Sequence, residues 1–334
     1  MTLKTIASAT GYSITTVSRA LAGYQDVSPS TRQLIGDTAV KLGYFPNATA
    51  RQLQKQRTDL IGLILPSFGP RFADPYFSLM LAGIGDEMAA HGYDVLISSH
   101  SPGPDELAAY RALVEGRRVD GTVVIRTRLR DERIAYLVER GFPFVAFGRT
   151  DDGLAFPYID EDGESGTFQL VNHLAQLGHE RIAYIAAPQE LTFGVNRLRG
   201  YQRAMHEIGL SPNGDYVAVA DLTRTGGMAA ATRLLDLKVP PTAIVAANDL
   251  MALGAVTLAK DRKMVIGRDL SVAGFDDIPT AEALGLTTLS QPIYSIGRKL
   301  SRMLIALIRG EPLDEPKVLL QPRLVSRPSI GPPA

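Results

Sequence analysis

From residue 60 onward, short runs of β-branched and aliphatic residues alternate with amphipathic stretches of helical length. Residues 60–66 (LIGLILP) read as a buried strand and 76–91 as a helix, and 94–99, 121–125 and 144–148 read as further strands with helices between them. The rhythm resumes with strands at 181–187, 216–220, 243–247 and 270–275. Such alternation implies parallel sheets covered by helices, because a parallel neighbour is reached only through a crossover. About eight such units are too many for one small sheet. The reading is therefore an α/β body of two similar lobes, divided near residues 158–162, with 289–294 crossing back between them. Ligands of such sheets bind beyond the carboxyl ends of the strands, here in the cleft between lobes.

The first 57 residues break this pattern. Residues 3–21 read as helix, glycine turn, helix: Gly11 permits the bend, Ser13 can cap the second helix, and Ile6, Ala7, Val17 and Leu21 can share a small core. Ile14, Thr15, Ser18 and Arg19 are left on the outer face of the second helix, the part that a helix-turn-helix presents to the major groove. A third helix is signalled by Ser28 and Pro29, carried by Leu34, Ile35, Ala39 and Leu42, and ended by Gly43. Pro46 disfavours helix at Phe45, and Asn47 can cap one more short helix over 48–55. Residues 1–57 hold seven basic and two acidic residues, a net +5, whereas the whole chain has 35 of each. A neutral total thus hides a basic head on a body of net −5, and phosphate neutralisation needs exactly such clustering.

Several classes of function are disfavoured by composition. The chain has no cysteine, which removes disulfides, thiolate catalysis and cysteine-bound zinc, and its five histidines form no metal-spaced pair. Gly83-Ile84-Gly85 lies inside a helical pattern and is a poor dinucleotide fingerprint; no nucleophile elbow is present. No apolar run approaches a membrane span and no secretory signal opens the chain, so a cytoplasmic protein without catalytic residues, metal or cofactor is expected.

Ordered motifs carry a resemblance. In the head they are Thr16-Val17-Ser18-Arg19, Val27-Ser28, Thr31-Arg32, Leu42-Gly43-Tyr44, Pro46-Asn47 and Ala50-Arg51-Gln52-Leu53. In the body they include Val119-Asp120-Gly121, Leu177-Gly178-His179, Arg197-Leu198-x-Gly200-Tyr201, Ala247-Asn248-Asp249, Gly274-Phe275-Asp276-Asp277 and Thr287-Thr288-x-x-Gln291. Each is weak alone; in this order and spacing the chain resembles the lac-repressor (LacI/GalR) family of bacterial transcription regulators nearly end to end.

The resemblance implies a helix-turn-helix head at 1–46, a hinge helix and linker at 47–58, and a periplasmic-binding-protein-like core at 59–334. Lobe 1 is expected at about 59–158 plus 292–320, and lobe 2 at about 159–291 plus 321–330. It also implies a homodimer on a near-palindromic double-stranded DNA operator, with affinity changed by a sugar effector. Sugar regulators of this type mostly govern catabolic genes, so repression relieved by an inducer is expected. The C-terminus carries no further heptad helix, which favours a dimer over a tetramer. Base reading falls on Ile14, Thr15 and Arg19; Ser13, Thr16 and Ser18 serve as caps or phosphate contacts; Asn47, Ala50 and Leu53 belong to the hinge, with Leu53 entering the minor groove. Ala22 departs from the family's pattern, in which an asparagine is usual at this place for a backbone contact.

In the cleft, the resemblance assigns effector contact to Arg197, Asn248 and Asp276, whose forked donors and acceptors suit vicinal hydroxyls. Gln291 is expected on the crossover, Tyr76 and Phe77 against a sugar face, and Arg126 and Arg149 at strand ends, where they could bind hydroxyls or an anion. The tract at 142–149 looks like a branch that answers to α-glucosides. Structural alternatives stand beside these readings: Asn248 could cap the helix starting near Leu250, Asp276 could satisfy a loop, Tyr76 and Phe77 could be core, and His179 reads as a structural turn residue. A sugar-transport receptor would share the body but lack the basic head, and a two-lobed α/β enzyme would need a catalytic pair that is not evident.

Overall fold

Gly11 and Ser13 make the bend that the head is built on. The computed structural model describes residues 1–44, 57–66, 74–210 and 214–334. Helix α1 (Leu3–Thr10) ends at Gly11, whose φ of 75° is the left-handed turn that glycine adopts without a Cβ clash. Helix α2 (Ile14–Leu21) begins where Ser13 Oγ accepts the Thr16 N–H at 3.1 Å. Helix α3 (Pro29–Lys41) begins with Ser28 Oγ accepting the Thr31 N–H at 3.2 Å, with proline in its first turn. Ile6, Val17, Ala20, Val27, Ile35 and Ala39 form the buried centre of these helices, with Ala7 and Leu21 at its margin. Leu34, placed on the core face by its spacing, is instead 50% exposed; Ile35 and Ala39 already fill the small interface. The short helix expected at 48–55, with Asn47, Ala50 and Leu53, lies outside the described residues. The chain divides into two compact units, Met1–Thr58 and Asp59–Ala334.

The second unit holds two six-stranded sheets among the described residues. The first is formed by β1 (Leu60–Pro66), β2 (Asp94–His100), β3 (Gly121–Ile125), β4 (Phe144–Phe147), β5 (Tyr158–Glu161) and β11 (Lys317–Leu320), in the order β11-β5-β4-β3-β1-β2 and parallel throughout. The second contains β6 (Ile182–Ala186), β7 (Val217–Val219), β8 (Ala243–Ala246), β9 (Ser271–Asp276), β10 (Thr287–Ser290) and β12 (Arg323–Val325), ordered β12-β10-β9-β8-β6-β7. Only the β10–β12 pairing is antiparallel among those described. Strand β5 pairs with β4 through Ala146–Tyr158 and Phe147–Ile159. The first sheet therefore takes in the chain as far as Glu161, within the 158–162 range where the division between lobes is expected. Half of β5 is carboxylate, which hides it from a search for apolar runs.

The α-helices of the unit among the described residues are α4 (Pro75–Ala90), α5 (Pro104–Glu115), α6 (Glu132–Glu139), α7 (Gly163–Gln176), α8 (Thr192–Glu207), α9 (Arg224–Leu235), α10 (Asp249–Asp261), α11 (Pro279–Ala283) and α12 (Ile293–Arg309). The chain passes between sheets three times, after β5, β10 and β11. The second passage is short: β10 ends at Ser290 and α12 starts at Ile293, so the crossover expected over 289–294 is narrowed to Gln291 and Pro292. Helix α12 then lies on α4 at glycine contacts. A Cβ at Gly83 would stand 2.1 Å from the Tyr294 carbonyl oxygen, and one at Gly297 2.4 Å from that of Met80. His179 is a structural residue: its ring nitrogens lie 2.9 Å from Thr242 Oγ1 and 2.8 Å from the Gly331 carbonyl oxygen, which pins the C-terminal segment to the second sheet. No helix among the described residues is long and apolar enough to cross a membrane.

Candidate functional site

On the head, Ile14 (44% exposed), Thr15 and Arg19 are exposed on α2, and Thr16 and Ser18 are half-buried. The Ser13 and Thr16 hydroxyls lie 2.9 Å apart, so both are engaged at the start of α2. Arg19 Nη2 lies 2.5 Å from Asp26 Oδ2, and the guanidinium sits 4.9 Å from the Tyr24 ring centre. Both carboxylate and guanidinium are about half exposed, so the pair holds the side chain in place at little energetic cost to release.

In the second unit, a cleft of about 580 Å³ opens between the two sheets. Its walls are the carboxyl ends of strands and the first turns that follow them. Asp74, Tyr76 and Phe77 follow β1; Ile125 and Arg126 end β3; Phe147 and Gly148 end β4; Asp160 and Glu161 end β5. The opposite wall has Phe193 and Arg197 on α8, Leu222 after β7, Asn248 after β8, and Asp276 ending β9. Parallel strands bring these residues to one edge from distant points in the chain.

Aromatic faces line much of it. Tyr76 packs edge-on against Phe77 at 5.8 Å and tilts toward Phe147 at 6.4 Å between ring centres. Asp74 caps α4, its Oδ1 accepting the Tyr76 N–H at 3.0 Å. Its other oxygen lies 3.8 Å from Arg126 Nη2, and the Arg126 guanidinium lies 4.6 Å from the Phe77 ring centre. Arg126 has φ +53°, a conformation uncommon for a residue with a side chain, and its carbonyl accepts from Arg133 Nη2 at 3.0 Å. Arg133 is itself buried between Glu106 (2.5 Å) and Asp131 (2.7 Å), which makes a stiff mount for the Arg126 backbone.

Arg197 is the centre of the opposite wall. Its Nε and Nη2 donate to Glu161 Oε1 at 3.1 and 2.7 Å, its Nη1 donates to the Ala247 carbonyl, and Nη2 stands 3.6 Å from Asp276 Oδ1. The guanidinium lies over Phe275 at 3.4 Å and near Phe193 at 4.9 Å. Asp276 has φ +120° and accepts from Gln291 Nε2 at 2.8 Å. Burial pushes the Asp276 carboxyl well above the usual carboxylate range; Arg197 opposes this, while Asp249, Asp74 and Glu161 add to it. Burial and then the Glu161 charge push Asp160 up to about 7, against its bond from Arg149. Burial, followed by the charges of Asp276 and Glu161, pushes the Tyr76 hydroxyl above its ordinary value, so it remains a neutral donor.

Tyr76, Phe77, Arg126, Arg197, Asn248 and Asp276 thus line one cleft, as the sequence grouped them. Arg149 and Gln291 are not among its lining residues. Arg149 Nε donates to Asp160 at 2.6 Å and Gln291 to Asp276, so each holds a lining carboxylate instead. Asn248 also caps α10, with Oδ1 accepting the Met251 N–H at 3.0 Å and Nδ2 donating to the Leu222 carbonyl at 3.2 Å. Asp74, Asp160, Glu161, Phe147 and Phe193 were not selected from sequence. The Asp160-Glu161 pair gave no signal of its own, because its strand is four residues long and half acidic.

Residues 2–47 match the family described as bacterial regulatory proteins, lacI family, and 171–330 match the periplasmic binding protein-like domain. The chain is 35% identical to the HTH-type transcriptional regulator RafR of Escherichia coli over 314 residues, covering 93% of each. It is 33% identical to the regulator CelR of Thermobifida fusca, covering 98% of each. Among solved structures, a CelR–cellobiose complex matches with a TM-score of 0.75 at 31% identity, covering 98% of this chain and 99% of the other. The lac repressor dimer bound to operator and the anti-inducer ONPF matches at 0.86 and 28% identity, covering 98% of each. With its helix-turn-helix head, its two parallel sheets and relatives alike over nearly their whole length, the chain belongs to the lacI family of bacterial regulatory proteins.

Proposed function

We infer that the protein is a sequence-specific DNA-binding transcriptional regulator whose operator affinity is set by a sugar held in the cleft. One observation carries this reading: a single chain combines an exposed second helix in a basic head with a cleft of aromatic faces, carboxylates and guanidinium groups. Aromatic faces suit sugar C–H surfaces, and forked acceptors and donors suit neighbouring hydroxyls. The cleft is a receptor site rather than a catalytic one, in keeping with relatives that are transcriptional regulators. DNA is met in the cytoplasm, and the protein works there.

Two copies would read a near-palindromic operator with heads about one helical turn apart. Ile14, Thr15 and Arg19 make the base contacts, and Ser13, Thr16 and Ser18 the phosphate contacts. Tyr76, Phe77, Arg126, Arg197, Asn248 and Asp276 form the sugar site, with Arg149 and Gln291 orienting its acids. Sugar lowers operator affinity and relieves repression of catabolic genes; by linkage, operator lowers sugar affinity by the same factor.

The test is selection of bound duplexes from a random pool by the full chain, followed by titration of the selected duplex with and without an α- and β-glucoside panel. Selective binding that weakens with one sugar is expected. No sequence-selective binding under any condition overturns the regulator reading, and an operator affinity indifferent to every sugar overturns the effector reading.

A further inference from the structure

Among the described residues, every guanidinium at the cleft already faces a carboxylate. Arg126 faces Asp74 at 3.8 Å, Arg149 donates to Asp160 at 2.6 Å, and Arg197 donates to Glu161 at 2.7 Å. Asp276 is the remaining acid; it lies 3.6 Å from Arg197 Nη2, which Glu161 already holds. Fully ionised, the set is four carboxylates against three guanidiniums, one negative charge in excess. With a proton on Asp276, which its burial favours, the set is neutral. While Asp160 is ionised, as it is above about pH 7, neither state presents an uncompensated cation.

An anion entering this cleft has two routes, both unfavourable. It can be desolvated beside carboxylates, or it can take a guanidinium from its partner and leave a buried acid unpaired. Asp160 and Glu161 side chains are only 4% and 2% exposed, so water cannot replace the lost partner. A neutral saccharide escapes both. Its hydroxyls donate to carboxylate lone pairs and accept from N–H groups without changing the charge balance.

We propose that the cleft selects an uncharged glycoside and rejects phosphorylated sugars and sugar acids, with the Arg149–Asp160 pair as the element that sets this selectivity. The proposal rests on the saccharide reading above and names the class within it. Arg149 is the most exposed of the three paired arginines, at 31%, and stands behind Asp160, the lining carboxylate that it bonds. Asp160 neutralises it.

Calorimetric titration of the full chain with glucose, maltose, cellobiose and raffinose, and with glucose 6-phosphate and the 6′-phosphates of maltose and cellobiose, tests this. At least one neutral sugar binds, and every phosphate ester binds about 100-fold more weakly than that sugar or worse. An ester that binds as tightly as that sugar overturns the selectivity and leaves the saccharide reading standing. Absence of binding by all seven compounds counts against the saccharide reading and removes this proposal with it. Asp160→Asn frees the Arg149 charge and should shift the ester-to-sugar affinity ratio toward the ester by at least about tenfold. An unchanged ratio in a folded variant removes Asp160 from its assigned role; the wild-type titrations decide the rest whether or not the variant folds.

Discussion

Each unit has an arginine that the proposed function gives to a ligand, and the two are held in opposite ways. Arg19 on the head lies 2.5 Å from Asp26 with both side chains about half in solvent, 46% and 54% exposed. Arg197 in the cleft is 4% exposed and is enclosed by Glu161, Asp276, the Ala247 carbonyl and the Phe275 ring. A solvated pair contributes little and can be exchanged for a base or a phosphate at small cost. A buried pair cannot be exchanged, because any partner it leaves is stranded away from water. The head arginine is therefore a contact that can be handed over, whereas the cleft arginine is a fixture around which other groups are arranged.

The largest expected effect follows from that contrast. Arg197→Ala strands Glu161 at the end of β5 and removes the cation facing Asp276. It should destabilise the second unit by about 3–5 kcal/mol in urea unfolding and abolish effector binding in calorimetry. Its head is untouched, so at low temperature the folded variant should still bind operator and no longer respond to sugar. A variant with wild-type stability would break the comparison, since Arg197 would then be as replaceable as Arg19.

The next effect concerns an acid with no arginine partner among the described residues. Asp249 is fully buried; its oxygens accept from Thr288 Oγ1 at 2.6 Å and from the Ile278 N–H at 2.9 Å. Burial pushes its carboxyl up to about 7. A carboxyl raised in the folded state favours folding while it is protonated. Its contribution is full below the unfolded value near 4 and is lost as pH rises toward about 7. Relative to Asp249→Asn, wild-type stability should therefore fall by a few kcal/mol between about pH 4 and pH 7.5. Parallel stability curves for the two proteins would mean that the two hydrogen bonds hold the acid ionised throughout.

The two units also differ in how much of them could be read from sequence. The head is local: Gly11, Ser13, Ser28 and Pro29 each act within three or four residues of their own position, and the structure uses all four as caps or turns. Most strands of the second unit are equally legible, because β1, β3, β6 and β8 are continuous apolar runs. The cleft is not local. Glu161 reaches Arg197 across 36 positions, and Gln291 reaches Asp276 across 15. Asp160 and Glu161 escaped notice because β5 is four residues long and half acidic, so nothing in its own segment marks it as a central strand. Arg149 and Gln291 were found as functional types at the right strand ends, yet sequence could not say that each would turn onto a carboxylate rather than into the open cleft.

On the head, Arg19→Ala should lower affinity for the selected operator by roughly tenfold to 100-fold and relax selectivity at one base pair. Thermal unfolding should hardly change, because the pair with Asp26 is solvated. The comparison is sharpened by Asp26→Ala, which releases Arg19 without removing it. Operator affinity should then stay within a few-fold of wild type; a loss as large as that of Arg19→Ala would mean that Asp26 acts by pre-positioning the guanidinium, giving the head a fixture of its own.

The smallest effect separates two roles of Ser13. Its Oγ accepts the Thr16 N–H at 3.1 Å, so Ser13→Ala removes a cap and should cost the head about 1 kcal/mol. Weaker DNA binding by that variant would not distinguish a lost cap from a lost phosphate contact. Ser13→Asp does distinguish them. Aspartate caps as well as serine, and its charge is favourable at a helix N-terminus, so the head should be as stable as wild type or more so. If a phosphate lies against this end of α2, the added charge should weaken operator binding, and the slope of log affinity against log salt should become shallower. A stable Ser13→Asp head with wild-type operator affinity would confine Ser13 to the cap and leave α2 contacting DNA through its exposed face alone.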